Sequence, residues 1–152
     1  MYLAVLLIHS WLRYPVLGLG VWLLYVSVHG LRRDAAWTPR DERLHAGFLG
    51  VLDTQMLLGL LLYFWLSPLT SAAMANFGAA MKNAPLRFFG VEHIFAMLIA
   101  VAIAHIGRAR SKRKQGKARH RTILIAQLLW LLLTLAAIPW PVLDIGRPLF
   151  RM

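Results

Sequence analysis

The sequence predicts an all-α protein: a transmembrane up-down-up-down four-helix bundle, with residues 1–152 forming a single membrane domain. Three observations carry this. The 152 residues are 59% hydrophobic and only 15% charged, with a mean hydropathy of +0.61, which is too apolar for a soluble domain of this size. The apolar residues gather into runs at residues 2–28, 44–66, 86–106 and 122–138, each near the ~20 residues an α-helix needs to cross ~30 Å of hydrocarbon. Short connections between the runs make consecutive helices antiparallel neighbours.

The first run has no basic stretch before it and is too long for the apolar core of a signal peptide, so it is expected to remain in the folded protein. It carries His9 and Arg13, about 9 and 15 Å deep at about 1.5 Å per residue. With Leu17 and Gly20 they follow the spacing of one helix face. The second run enters from the opposite side and brings Asp53 about 14 Å in, level with Arg13. A lone charge in the interior is strongly unfavourable, so Arg13 and Asp53 are expected to meet, directly or through water or a cofactor acid group. Between the second and third runs, "SPLTSAAMANFGAAMKNAP" reads either as a short amphipathic lid with Met74, Phe77 and Met81 on its apolar side or as a plain interfacial loop. The third run opens with "RFFGVEHIFAMLIA", which places Glu92 and His93 about 9 to 11 Å deep and His93 level with His9. His93, Ala96, Ala100 and Ala104 share a face, whereas His105 is turned about 120° away from His93. On the fourth run, Gln127 and Thr134 fall on one stripe.

Charge orients the helices. The formal net charge is +11, from 17 Lys and Arg against 6 Asp and Glu. The cations collect in "HGLRRDAAWTPRDER" and "GRARSKRKQGKARHR", whereas the connection between the second and third runs holds only Lys82 and Arg87. The positive-inside rule puts the two basic segments in the cytoplasm and both termini in the periplasm of a bacterial inner membrane. The lipid bilayer is thus the first partner, with anionic headgroups drawn to the basic segments. No aromatic residue interleaves the basic run, which argues against a nucleic-acid partner. The absence of cysteine excludes disulfides, thiolate metal sites and cysteine catalysis. Walker, GxGxxG, GxSxG and HExxH motifs are also absent.

Small residues along a membrane helix either let backbones approach or leave a slot for a flat cofactor. Ionisable groups at matched depth favour function, because they are costly in a span. Two imidazoles facing each other across diagonal helices suit axial ligation of haem iron, so His9 and His93 are the expected iron ligands. The alternatives are a different metal or proton role and a purely structural one. His45 and His120 are the candidate pair for a second haem, against a reading as exposed interfacial histidines. Glu92 could accept a proton, pair with Arg13, hydrogen-bond a ligand imidazole, or simply pair with Arg87.

The phrases "HSWLRYPVL", "QMLLGLLLYF", "MKNAPLRFFGVEH", "HIGRARSK" and "IPWP" resemble, in the same order and over nearly the whole chain, small bacterial four-helix membrane proteins grouped as cytochrome b or cytochrome b-like. The resemblance implies b-type haem, one or two per chain, and electron transfer. It carries over His9, Arg13, Gln55, Arg87, Glu92 and His93. Asp53 departs from it, since similar chains often have His there. The expected function is electron transfer between a quinone-like carrier and another redox partner, with enzymatic turnover left open. The expected cofactor site comprises His9, Arg13, Gly20, Arg87, His93, Ala96 and Ala100, with Glu92, Arg13 and Asp53 as proton or propionate partners. Two other classes stay open: a haem-free proton- or solute-conducting bundle, and an accessory subunit of a larger respiratory or photosynthetic complex. Homo-oligomerisation is open as well.

Overall fold

The computed structural model describes residues 1–148, which are helical with no strand among them. Long helices α1 (Tyr2–Arg33), α2 (Pro39–Leu61), α6 (His93–Ser111) and α7 (Gly116–Ala136) are joined on one side by the short helices α3 (Pro68–Ala75), α4 (Phe77–Ala80) and α5 (Ala84–Arg87). A π-helical turn, Leu62–Leu66, extends α2, and a second, Phe88–Glu92, leads into α6. The segments Tyr2–Arg33, Pro39–Leu66 and Ala84–Ser111 are long and apolar enough to cross a membrane. The fourth expected span, 122–138, corresponds to α7, which is not among them: its first turns carry Lys117, Arg119 and Arg121, and it ends at Ala136.

Local sequence explains the helix ends. Asp34 leaves α1 in the left-handed conformation with φ 51°. Thr38 then caps α2 through a reciprocal capping box with Asp41, and Pro39 occupies the first turn. Ser67, Asn76 and Asn83 cap the three short helices in the same way, each side chain accepting from a backbone N–H three residues on. Gly116, at φ +46°, starts α7 after the basic turn.

Helix α1 packs on α2 and α7, and α6 packs on α7 and, more sparsely, on α2. Phe48, Trp130, Leu23 and Ile123 are fully buried between them, with Phe48 edge-on to Trp130 at 4.8 Å. Large apolar side chains point outward on all four long helices: Trp11, Trp22 and Tyr25 on α1, Leu57 on α2, Phe95, Leu98 and Ile99 on α6, and Ile125, Leu128 and Leu132 on α7. The polar side chains Ser27, Ser111, Gln127 and Thr134 are turned inward. This inversion of the soluble pattern suits a hydrocarbon solvent.

The small residues serve helix contact rather than the cavity described below. A side chain at Gly20 would overlap the Trp130 ring, and one at Gly107 would overlap Ala126. Ala100 and Ala104 are buried in the packed core.

Candidate functional site

A cavity opens among α1, α2, α6 and the chain after α7, enclosing about 1350 Å³ of space between atoms with its mouth included. Helix α1 contributes His9, Arg13 and Leu17, and α2 contributes Leu52, Gln55 and Gly59. Helix α6 contributes His93, Met97 and Val101, and Thr134 of α7 joins them. The two histidines expected to act together therefore line one cavity from different helices. Among the described residues no carboxylate lines it, whereas Arg13 and Arg147 both do.

Each imidazole is held by the helix opposite or beside it. His93 Nδ1 lies 2.8 Å from the carbonyl oxygen of Ala137. A carbonyl only accepts, so His93 donates from Nδ1 and keeps the lone pair on Nε2. Ala137 is the residue that caps the C-terminus of α7, and its carbonyl is one of those a helix terminus leaves for an outside donor. His9 lies against α2 at Gly59, where an added Cβ would stand 3.1 Å from the His9 Cε1. The Gln55 amide nitrogen donates to the His9 carbonyl at 2.9 Å and approaches His9 Nε2 at 3.4 Å. Three polar atoms of cavity-lining residues, His9 Nδ1, Gln55 Oε1 and Thr134 Oγ1, are buried without a partner, an arrangement unfavourable unless something in the cavity meets them.

The outer wall is built by the two π-turns. The Tyr63 hydroxyl, in the first, donates to the Gly90 carbonyl, in the second, at 2.9 Å. Thr70 of α3 donates to the Tyr63 carbonyl at 2.8 Å, and Ser67, Leu69 and Thr70 line the cavity. The connecting segment is thus helical and forms part of the wall, but Met74 and Phe77 face outward and its covering contacts come from Leu69, Thr70 and Ala73. After α7, Trp140 donates to the Leu135 carbonyl and the chain turns back, bringing the Arg147 guanidinium over the Phe89 ring at 5.1 Å.

Several expected site residues go elsewhere. Glu92 accepts from Arg87 at 2.6 Å, and both are exposed on the outer side, away from the cavity lining. Gly20, Ala96 and Ala100 do not line the cavity either; on α6 that face runs through His93, Met97 and Val101. Asp53 does not pair with Arg13. It accepts from His105 Nε2 at 2.8 Å on the outside of the α2–α6 seam, because the neighbouring Leu52 already takes the inward position. Arg13 reaches the Tyr14 hydroxyl at 3.0 Å and stacks over that ring.

His45 and His120 are brought together, and neither is at an exposed interface. Both are buried against Trp37, with ring centroids 6.2 and 5.1 Å from it. His45 Nδ1 and both His120 nitrogens lack a hydrogen-bond partner. Beside them Glu42 accepts from Arg108, Arg119 and the Trp37 indole.

Arg147, Gly59, Tyr63 and Thr70 were not anticipated from sequence as cavity residues. Arg147 gave no signal, since it lies beyond the last apolar run. Among the described residues, no group of three or more His, Cys, Asp or Glu comes together. No protein-family model, curated protein or solved structure matches the chain.

Proposed function

We propose that the chain is a four-helix integral membrane cytochrome of the b type, transferring electrons between a lipid-soluble carrier and a second redox partner. The observation that carries this reading is the donor set of one cavity: two imidazoles from different helices, two guanidiniums and no carboxylate. A protein-built metal cage needs three or more ligands in one place. A haem brings most of its iron's ligands itself and would ask the protein for two at most.

The residues fit that group in kind. His9 and His93 would hold the iron, and His93 has a lone pair left on Nε2 once Nδ1 is committed to Ala137. Arg13 and Arg147 would meet the two acid side chains of the macrocycle. Leu17, Leu52, Met97 and Val101 supply the apolar wall that keeps water from the ring. When bound, the haem supplies a one-electron couple, whose potential the surrounding burial and the cations adjust. Outward apolar side chains on all four long helices support the membrane part of the same reading.

The test is the visible spectrum of the purified chain. Reduced-minus-oxidised spectra should show the sharp α-band of low-spin bis-histidine haem, and His9→Ala or His93→Ala should abolish it or convert it to high spin. Met74→Ala, on the outward face of α3, should leave it unchanged. A low-spin spectrum fully retained in both histidine variants would overturn the assignment.

A further inference from the structure

Asp53 and His105 form a titratable pair outside the cavity, and each side chain is 47% exposed. Around them the surface is apolar: Leu57, Leu98, Ile99 and Ile106 are exposed on the same two helices. One turn before each partner stands a small exposed residue, Gly50 before Asp53 and Ala102 before His105. The seam between α2 and α6 is also the more sparsely packed side of α6. The pair is therefore set in an apolar outer face, which would meet hydrocarbon if α2 and α6 span a bilayer.

Its chemistry is that of an oriented base. The Asp53 carboxylate can only accept, so His105 donates from Nε2 and carries its lone pair on Nδ1. No hydrogen bond among the described residues engages that Nδ1. A base opening onto lipid meets only weak acids dissolved in lipid. Leu52, next to Asp53 in the chain, and Val101, one turn before His105, line the cavity.

We propose that the Asp53–His105 pair is a lipid-side docking site for the headgroup of a lipid-soluble hydroquinone. A hydroquinone hydroxyl hydrogen-bonds His105 Nδ1. As its O–H bond breaks and the Nδ1–H bond forms, the electron pair stays on the oxygen as the hydroquinone monoanion, and Asp53 offsets the imidazolium charge. The proposal rests on the electron-transfer reading and names where the lipid-soluble carrier docks.

The test uses the full chain in lipid nanodiscs and a photoreactive azido-benzohydroquinone with an n-decyl tail, which keeps the hydroxyl donor that the site would accept from. Label should fall on residues 47–57 and 98–109 and be displaced by excess n-decyl-benzoquinol. Asp53→Asn and His105→Gln should each weaken labelling about tenfold, the size of one lost hydrogen bond to a charged group, while Glu92→Gln leaves it unchanged. Label on other segments, label that is not displaced, or equal label in both seam variants would each overturn the proposal. So would a cross-linked dimer through Ala102→Cys in this cysteine-free chain, which would assign the seam to a second copy. Labelling does not require haem. Loss of the haem spectrum with seam label retained overturns the cytochrome reading alone, and a normal spectrum without seam label overturns the docking proposal alone.

Discussion

Single residues decide how the imidazoles are seated, and glycine does so twice. A methyl group at Gly30 would overlap the buried His120 ring, whereas one at Gly18 meets nothing within 4 Å. Gly30→Ala should therefore destabilise the protein by about 1–3 kcal/mol, the usual cost of overpacking, and Gly18→Ala should not; thermal unfolding of both in one detergent checks it. Gly59 makes the same kind of room for His9, but more loosely, at 3.1 Å. Gly59→Ala is expected to shift the His9-dependent part of the haem spectrum while leaving the unfolding temperature almost unchanged. These roles were only half legible in the sequence. Counting depth along each helix brings His9 and His93 to one level, and both line one cavity. Depth alone carries no azimuth, however. Arg13 and Asp53 counted as level and yet Asp53 turns outward to His105, because adjacent residues on a helix stand about 100° apart.

At the scale of elements, periodicity takes one side of His93 on α6 where the cavity takes the other. The i+3, i+7 spacing groups His93 with Ala96 and Ala100. The cavity instead takes the i+4, i+8 residues Met97 and Val101, and Ala100 goes to the packed core. The Phe88–Glu92 turn closes hydrogen bonds five residues apart, so it re-aims the helix at His93, the residue directly after it. Nothing in "FFGVE" marks such a turn in advance. The Tyr63 hydroxyl, in the Leu62–Leu66 turn, ties that turn to this one at Gly90. Tyr63→Phe should cost about 1 kcal/mol, the worth of one hydrogen bond. It should also raise amide exchange at residues 88–92 above that of the core of α6; uniform exchange along the helix would show that the tie does not hold the turn.

For the whole molecule, charge and apolar surface were the most legible properties, and they still constrain how the chain lies in a bilayer. Reporter fusions after Arg113 should behave as cytoplasmic and those after Ala73 as external, because the basic residues cluster on the side of the former. Helix α7 is not among the segments long and apolar enough to span by composition, yet it presents Ile125, Leu128, Leu129 and Leu132 outward, so the same experiment placed after Pro141 should report the external side. The segment that follows α7 was illegible: its Pro139 and Pro141 mark a turn, but the return of Arg147 to the cavity depends on Phe89, nearly sixty residues earlier in the chain. The bond from His93 to Ala137 has a consequence in time. The ribosome has made all of α6 well before Ala137 exists, so through that interval the His93 ring has no partner to choose its tautomer. Its orientation is settled only once α7 has been synthesised, and a chain stopped after Thr134 would present His93 free to rotate. Seating of the His93 ring is accordingly a late event, gated by the making of α7 rather than by the insertion of the histidine-bearing helices.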